Sequence, residues 1–200
     1  TSKTEALKEI KEIMENDKFG DAGNTVVVEE RLYGDEVSVF AFCNGKKAVL
    51  MPQAQDYKRA WDDDMGLNTG GMGSHAPVNI LTNMEVSKLE GYMNTVVREL
   101  NYVGVLYAGV MKTQNGIFLL EFNCRFGDPE TQVVLNLLES DLYKIMLNCS
   151  CGFDIDVEWN NNYATNIVLS HIDYPVSKSK VFLPIKFNKG YPCSEENIKV

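Results

Sequence analysis

The side chains best able to do chemistry stand close together in Glu121-Phe122-Asn123-Cys124-Arg125-Phe126-Gly127-Asp128-Pro129-Glu130. Leu119 and Leu120 lead into this run as a strand. Strand side chains alternate, so Glu121, Asn123 and, if the strand persists, Arg125 point to one face. A carboxylate beside an amide oxygen suits Mg²⁺, a hard cation that takes oxygen ligands and leaves places for water and phosphate. A neighbouring guanidinium complements phosphate oxygens or charge that develops in a transition state. The combination predicts phosphoryl transfer. Asp128 before Pro129 reads as an N-cap with proline at the first helical position, its first-turn N–H groups facing an anion. The plainer alternative is an exposed strand face followed by an ordinary helix cap.

Two further groups have spacing of interest. Glu29 and Glu36 lie seven positions apart across Glu30-Arg31-Leu32-Tyr33-Gly34-Asp35. A strand that ends there as a hinge offers its backbone to an adenine edge and Glu36 to a pair of ribose hydroxyls. Acids around a solvent-facing turn are the other reading. Gln55-Asp56-Tyr57-Lys58-Arg59 then precedes Asn68-Thr69-Gly70-Gly71-Met72-Gly73. Glycines let backbone N–H groups approach an anion, and Lys58 and Arg59 are suited to phosphate oxygens. The alternative is a flexible loop, and no G-x-x-x-x-G-K-[ST] loop occurs in the chain. His75 reads as a loop residue, and Tyr107, Phe118 and Phe122 read as core.

These residues need elements to hold them. Leu7, Ile10, Ile13 and Met14 repeat at helical spacing, predicting a helix that belongs against something. The first residue is not methionine, so the N-terminus is expected to be cut, processed or trimmed. Residues 25–30 are β-branched and predict a strand; residues 37–43 and 46–51 flank Asn44-Gly45 and predict a hairpin. From 52 to 77 no regular element is predicted, and a stretch of that length is expected to be disordered or functional. Leu89, Tyr92, Met93, Val96, Val97 and Leu100 mark a helix. Residues 104–111 and 117–123 form a second antiparallel pair turning at Gln114-Asn115-Gly116. One helix behind Pro129 carries Val134, Leu135, Leu138, Leu142, Ile145, Met146 and Cys149 on a stripe, and residues 163–170 form a last strand. The order predicts an α+β fold of mixed antiparallel sheets flanked by helices.

Composition sets the outer bounds. The 200 residues are 44% hydrophobic and 24% charged, ordinary globular material. A net charge of −9 argues against general binding to nucleic acid or an anionic membrane, though a nucleotide needs only a locally positive pocket. No apolar run reaches the roughly 18–20 residues of a membrane span, and no signal peptide is visible. Cysteines 43, 124, 149, 151 and 193 follow no framework spacing, and two histidines leave little for zinc. Free thiols in a reducing compartment, the cytoplasm, are expected.

Five motifs in order carry a resemblance: Glu29-Glu30-Arg31-Leu32-x-Gly34-Asp35-Glu36, Gln55-Asp56-x-Lys58-Arg59, Asn68-Thr69-Gly70-Gly71-Met72-Gly73, Leu106-Tyr107-Ala108-Gly109, and the run from Glu121 to Glu130. Over roughly residues 5–150 the chain resembles the phosphoribosylamine–glycine ligases (glycinamide ribonucleotide synthetases) of the ATP-grasp superfamily. The resemblance implies a partial ATP-grasp fold over 1–150, with 151–200 finishing it and starting a truncated, small C-terminal domain. It implies ATP and Mg²⁺ (or Mn²⁺), and glycine and 5-phosphoribosylamine as substrates. ATP would phosphorylate the glycine carboxylate and the amine would attack the glycyl phosphate. It would put adenine at Glu29, Glu30, Arg31 and Leu32, ribose at Glu36, the nucleotide phosphates near Arg59 and Asn68, and the metal at Glu121 and Asn123. Arg125, with Arg59, would stabilise the transferring phosphoryl, and Asp56, Asp128 and Glu130 would lie on the substrate side. Such a reaction needs positioning and charge neutralisation more than a covalent nucleophile, which accords with so few histidines.

There are departures. Tyr57 stands where the family commonly has His, and Ser74-His75 where Ala-Tyr is usual; the segment between Gly73 and Tyr107 is somewhat short. An amino-terminal substrate domain and a lysine-bearing, glycine-rich phosphate loop are expected before residue 1, and fusion to other purine-pathway domains is compatible with the pattern. The rival readings are another ATP-grasp ligase, acting on a different amino acid, and a non-catalytic nucleotide-binding module of a multifunctional chain. The joint presence of Glu36, Glu121, Asn123 and Arg125 speaks against the second rival.

Overall fold

The computed structural model describes residues 2–176 and divides into two compact units, one ending at Gly34 and the other beginning at Asp35. Cys193 and most of the Lys-, Pro- and Ser-rich tail lie outside the described residues.

In the first unit the predicted helix is α1, Lys3–Met14. It starts with a capping box: the Glu5 N–H donates to Ser2 Oγ at 3.2 Å, and the Ser2 N–H to the Glu5 carboxylate at 2.7 Å. A 3₁₀ turn, Gly20–Asn24, folds back on it so closely that a Cβ on Gly23 would lie 2.6 Å from the Ile13 carbonyl oxygen. The strand expected over 25–30 is not formed. Val27 and Val28 are exposed, and a strand exists only where a neighbour takes its N–H and C=O groups. Among the described residues of this unit there is no second extended segment to provide that ladder.

The second unit runs through β1 (Asp35–Asn44), β2 (Ala48–Leu50), β3 (Gln55–Asp56), β4 (Arg59–Trp61), β5 (Met65–Asn68), β6 (Gly73–Ala76), α2 (Asn83–Leu100), β7 (Val103–Thr113), β8 (Gly116–Asn123), α3 (Glu130–Val134), a 3₁₀ turn (Leu135–Leu137), α4 (Leu142–Cys151) and β9 (Ala164–Ile167). The main sheet has the order β2-β1-β7-β8 with every pair antiparallel. Both predicted hairpins are present. At the first, Gly45 takes φ +82° and Asn44 Oδ1 accepts the N–H groups of Lys46 and Lys47 at 3.0 and 2.9 Å.

Sheet alternation separates two cores. Val37, Val39 and Ala41 of β1, with Leu106, Ala108 and Val110 of β7, pack on Leu89, Met93 and Val97 of α2. Phe40 and Phe42, with Tyr107, pack on Val133, Val134, Leu137, Ile145 and Cys149. Burial of such side chains supplies roughly 1.5–3 kcal/mol each, so the sheet's position between its helices is firmly specified. Phe118, expected in the core, is 37% exposed on the edge strand β8, whereas Phe122 packs against the α2 side.

Three expectations need correction here. The stretch 52–77 is not irregular: β4 and β5 form a hairpin turning at Asp62-Asp63-Asp64, and β3-β6-β9 form a small sheet. Strands of two to four residues are too short for a period to show. The helix behind Pro129 is two helices, because Leu138 turns extended to bridge Trp159 and Asp141 starts α4 afresh as its cap. Nor does Asp128 cap α3. Pro129 occupies that position without a side-chain bond, and the Asp128 carboxylate instead accepts Gln132 Nε2 at 2.8 Å. Among the described residues no helix is long and apolar enough to cross a membrane.

Candidate active site

The register of the main sheet brings distant sequence positions onto one face. Across β1, β7 and β8 the partners run Glu36–Met111–Phe118, Ser38–Gly109–Glu121 and Phe40–Tyr107–Asn123. Directly opposed residues share a face, so Glu36, Ser38, Tyr107, Glu121 and Asn123 all lie opposite the α2 side. A bulge at Leu120 keeps Phe118 on that face together with Glu121 and Asn123. Two strand spacings, about 10 Å, separate the Glu36 and Glu121 strands. Gly109 sits between them, and a Cβ there would be 3.4 Å from Glu121 Cγ.

Glu121 and Asn123 are adjacent as the sequence predicts: Asn123 Nδ2 donates to Glu121 Oε1 at 2.8 Å. That bond occupies the amide nitrogen and leaves the amide oxygen free to accept, beside an exposed carboxylate. Two oxygens of this kind suit a hard divalent cation. Among the described residues no cluster of three or more His, Cys, Asp or Glu side chains could hold a metal. The strand ends at Asn123, so Arg125 is carried by the following turn, with Nη1 donating to the Phe126 carbonyl at 2.8 Å.

At the β1 end, Glu36 is held by two neighbours. Gln55 Nε2 donates to its carbonyl at 3.0 Å, and the Lys58 ammonium pairs with its carboxylate. Asp56 is half-buried nearby, and desolvation raises its pKa, with Glu130 and Glu36 adding to the shift against the opposing Lys58. Burial alone would lower the Lys58 pKa, but its bond to Glu36 and the charges of Asp56 and Glu130 hold it raised. Arg59 and Asn68 are cross-strand partners on the β4–β5 hairpin, with Arg59 Nη1 donating to the Gly66 carbonyl at 2.9 Å.

The glycine-rich stretch has a structural task. The N–H groups of Thr69, Gly70, Gly71 and Met72 donate to the Lys58 carbonyl (2.7 Å), the Tyr174 hydroxyl (2.8 Å), Thr69 Oγ1 (3.0 Å) and the Tyr57 carbonyl (2.7 Å). These groups serve the fold rather than an anion. Gly71 lets Pro129 approach, and Ser74 Oγ donates to the Pro129 carbonyl at 2.8 Å. The stretch therefore clamps the turn after Arg125. His75 is a strand residue, not a loop residue, stacked on Tyr57 with ring centroids 5.6 Å apart and Nδ1 3.2 Å from the Tyr57 hydroxyl. The two departures from the family pattern thus touch each other.

Of the other expected residues, Asp128 is exposed, and Glu130, at 2% exposure, turns inward to Ser38 and Tyr107. Ser38 was not singled out by sequence. Its signal is a hydroxyl inside the apolar run Val37-Ser38-Val39-Phe40, buried on both faces, where a polar group needs a partner. Glu29, Glu30, Arg31 and Leu32 belong to the first unit, where they are exposed in irregular backbone except for partly covered residue 32.

The sequence profile of the phosphoribosylglycinamide synthetase ATP-grasp (A) domain matches residues 1–131. The chain belongs to this family. It is 45% identical over 185 residues to the trifunctional purine biosynthetic protein adenosine-3 of Drosophila melanogaster, covering 88% of this chain and 14% of that protein. To the phosphoribosylamine–glycine ligase of Halalkalibacterium halodurans it is 40% identical over 199 residues, covering 95% and 44%. The crystal structure of phosphoribosylamine–glycine ligase from Thermotoga maritima matches with a TM-score of 0.75 and 33% identity, covering 87% of this chain and 46% of that one. The chain spans less than half the length of each of these relatives. Its antiparallel sheets and flanking helices are thus part of an ATP-grasp fold, whose family uses ATP with a divalent cation.

Proposed function

We propose that the protein carrying this chain joins glycine to 5-phosphoribosylamine in de novo purine synthesis, forming glycinamide ribonucleotide, ADP and phosphate. The observation that carries the reading is that a member of this synthetase family sets Glu36, Glu121 and Asn123 on one sheet face, with Arg125 in the turn beyond. Carboxylate oxygen is a poor leaving group, so the γ-phosphoryl of ATP moves to the glycine carboxylate, giving glycyl phosphate and ADP. The amine of phosphoribosylamine then attacks the carbonyl carbon. The C–N bond forms as the C–O bond to phosphate breaks, and the amine proton leaves to solvent.

In this scheme Glu36 takes the ribose hydroxyls, while Arg59 and Asn68, paired across the hairpin, meet the nucleotide phosphates. Glu121 and Asn123 would hold Mg²⁺, which neutralises phosphate charge when bound. Arg125 stabilises the phosphoryl in transfer, and Asp56 and Asp128 face the substrates. The adenine assignment to Glu29, Glu30, Arg31 and Leu32 rests on sequence likeness. Residues 151–200 are read as the end of the ATP-grasp domain and the start of a C-terminal one. The protein is placed in the cytoplasm, and fusion to further purine-pathway domains is proposed from the trifunctional relative.

Glu121→Ala in the intact protein tests the reading. Mg²⁺-dependent formation of glycinamide ribonucleotide, followed by product mass, is expected to fall at least ~100-fold, the size of removing a key electrostatic group, with unfolding nearly unchanged. Equal activity removes Glu121 from the metal site. A product built on another amino acid overturns the substrate assignment.

A further inference from the structure

Three polar side chains from three elements meet out of contact with solvent, beneath the turn that carries Arg125. Glu130 is 2% exposed, Ser38 3% and Tyr107 8%. Ser38 Oγ donates to Glu130 Oε1 at 2.9 Å, and the Tyr107 hydroxyl donates to the same oxygen at 3.0 Å. The two hydroxyl oxygens are 2.9 Å apart. Burial pushes the Tyr107 phenol up, so it remains a protonated donor. The second oxygen of Glu130 lies over the turn itself: a Cβ on Gly127 would be 2.7 Å from Oε2 and 2.8 Å from Phe40 Cζ.

A carboxylate this deep is costly unless hydrogen-bonded, and apolar packing would fill the same space without that penalty. What the carboxylate adds is placement. It backs Gly127, whose carbonyl also accepts Thr131 Oγ1, while Ser74 fixes the Pro129 carbonyl from the other side. The Phe126 carbonyl, next to Gly127, is the acceptor that orients the Arg125 guanidinium. A chain of contacts therefore runs from β1 and β7 through Glu130 and the turn to Arg125.

We infer that Glu130, held by Ser38 and Tyr107, is a positioning residue that sets the Arg125 guanidinium, in place of the substrate contact expected from sequence. The inference rests on the reading of Arg125 as the group that stabilises the transferring phosphoryl.

The experiment measures ADP release by the intact protein with ATP, glycine and 5-phosphoribosylamine, per folded molecule. Glu130→Ala is expected to lower kcat about 100-fold, as a misplacement near 1 Å can, with KM for ATP within about twofold. Glu130→Gln keeps an oxygen for both hydroxyls and is expected to retain most activity. Should Glu130→Ala fail to fold, Tyr107→Phe and Ser38→Ala each remove one donor and are expected to lower kcat several-fold with the same KM. The decisive arm is the double variant: Arg125→Ala with Tyr107→Phe is expected to be no slower than Arg125→Ala alone, since both changes act through one guanidinium. A loss of thermal stability with unchanged kcat, or additive losses in the double variant, overturns the inference while leaving Arg125 its role. Unchanged kcat in Arg125→Ala alone overturns the underlying reading, and the inference with it.

Discussion

Gly71 has φ +121°, and a Cβ there would stand 2.4 Å from Pro129 Cδ and 3.4 Å from the Asp128 carbonyl oxygen. A proline ring cannot swing aside, so the clash must move backbone. Gly71→Ala is expected to destabilise the fold by about 2–4 kcal/mol, adding strain at positive φ to overpacking. The urea midpoint should fall accordingly. Gly70→Ala is the control: its Cβ would meet only Tyr174 Oη, at 3.2 Å, the far end of a side chain rather than a ring fixed to backbone. If the two variants unfold alike, close packing of Gly71 on Pro129 is not what the glycine serves. At this scale the sequence indicates which residues matter and leaves open whether the glycines serve an anion or the loop itself. A glycine-rich run beside Lys58 and Arg59 reads as a phosphate loop because free N–H groups are assumed. Here those groups already have acceptors, one of them Tyr174, about 100 positions away. Only tertiary structure reveals such partners.

Elements whose reasons are local were legible, and elements whose reasons are distant were not. Asn44-Gly45 and Asn115-Gly116 announce hairpins because the turn chemistry lies in the residues themselves. Helix α2 was legible from Leu89, Met93 and Val97, and it carries its own capping box at Thr82 and Glu85. By contrast, β6 is defined by pairing with β9, roughly 90 positions later, and residues 25–30 have strand composition without a strand partner. The apolar stripe behind Pro129 runs unbroken through Leu138 because both α3 and α4 present apolar side chains to the same sheet face, which continues the stripe across a break. Asp141 marks that break, accepting the N–H groups of Tyr143 and Lys144 at 2.9 and 3.3 Å. Asp141→Ala is therefore expected to reduce stability by about 1 kcal/mol, whereas Asp141→Ser should restore most of it. Thermal unfolding followed by circular dichroism distinguishes them; were α4 continuous with α3 in solution, alanine at 141 would stabilise instead.

Among the described residues of the second unit, the acid response joins two carboxylates with shifts of opposite sign. Glu85, at the start of α2, pairs with Lys112 of β7, and this bond, with those to Thr82, lowers its pKa from 4.5 to about 2. Its stabilising contribution is complete above 4.5 and is lost as pH falls toward 2, because the unfolded chain takes the proton first. Asp56 behaves in reverse. Burial raises its pKa above 3.8, so the folded state takes the proton first and stability rises as pH falls through the folded value. Stability measured by urea unfolding should therefore fall along a lower limb below about 4.5 as Glu85 loses its advantage, with Asp56 offsetting part of that loss as it takes its proton between its raised folded pKa and 3.8. Lys112→Met is expected to flatten the lower limb, though the capping bonds from Thr82 preserve part of it. Asp56→Asn is expected to remove that offset and leave the Glu85 loss intact. The two changes should add, since Glu85 joins α2 to β7 whereas Asp56 lies by Lys58 and Glu36. Superimposable pH profiles for the parent and Lys112→Met would show that Glu85 titrates normally, and would remove the ion pair as the link between α2 and the sheet.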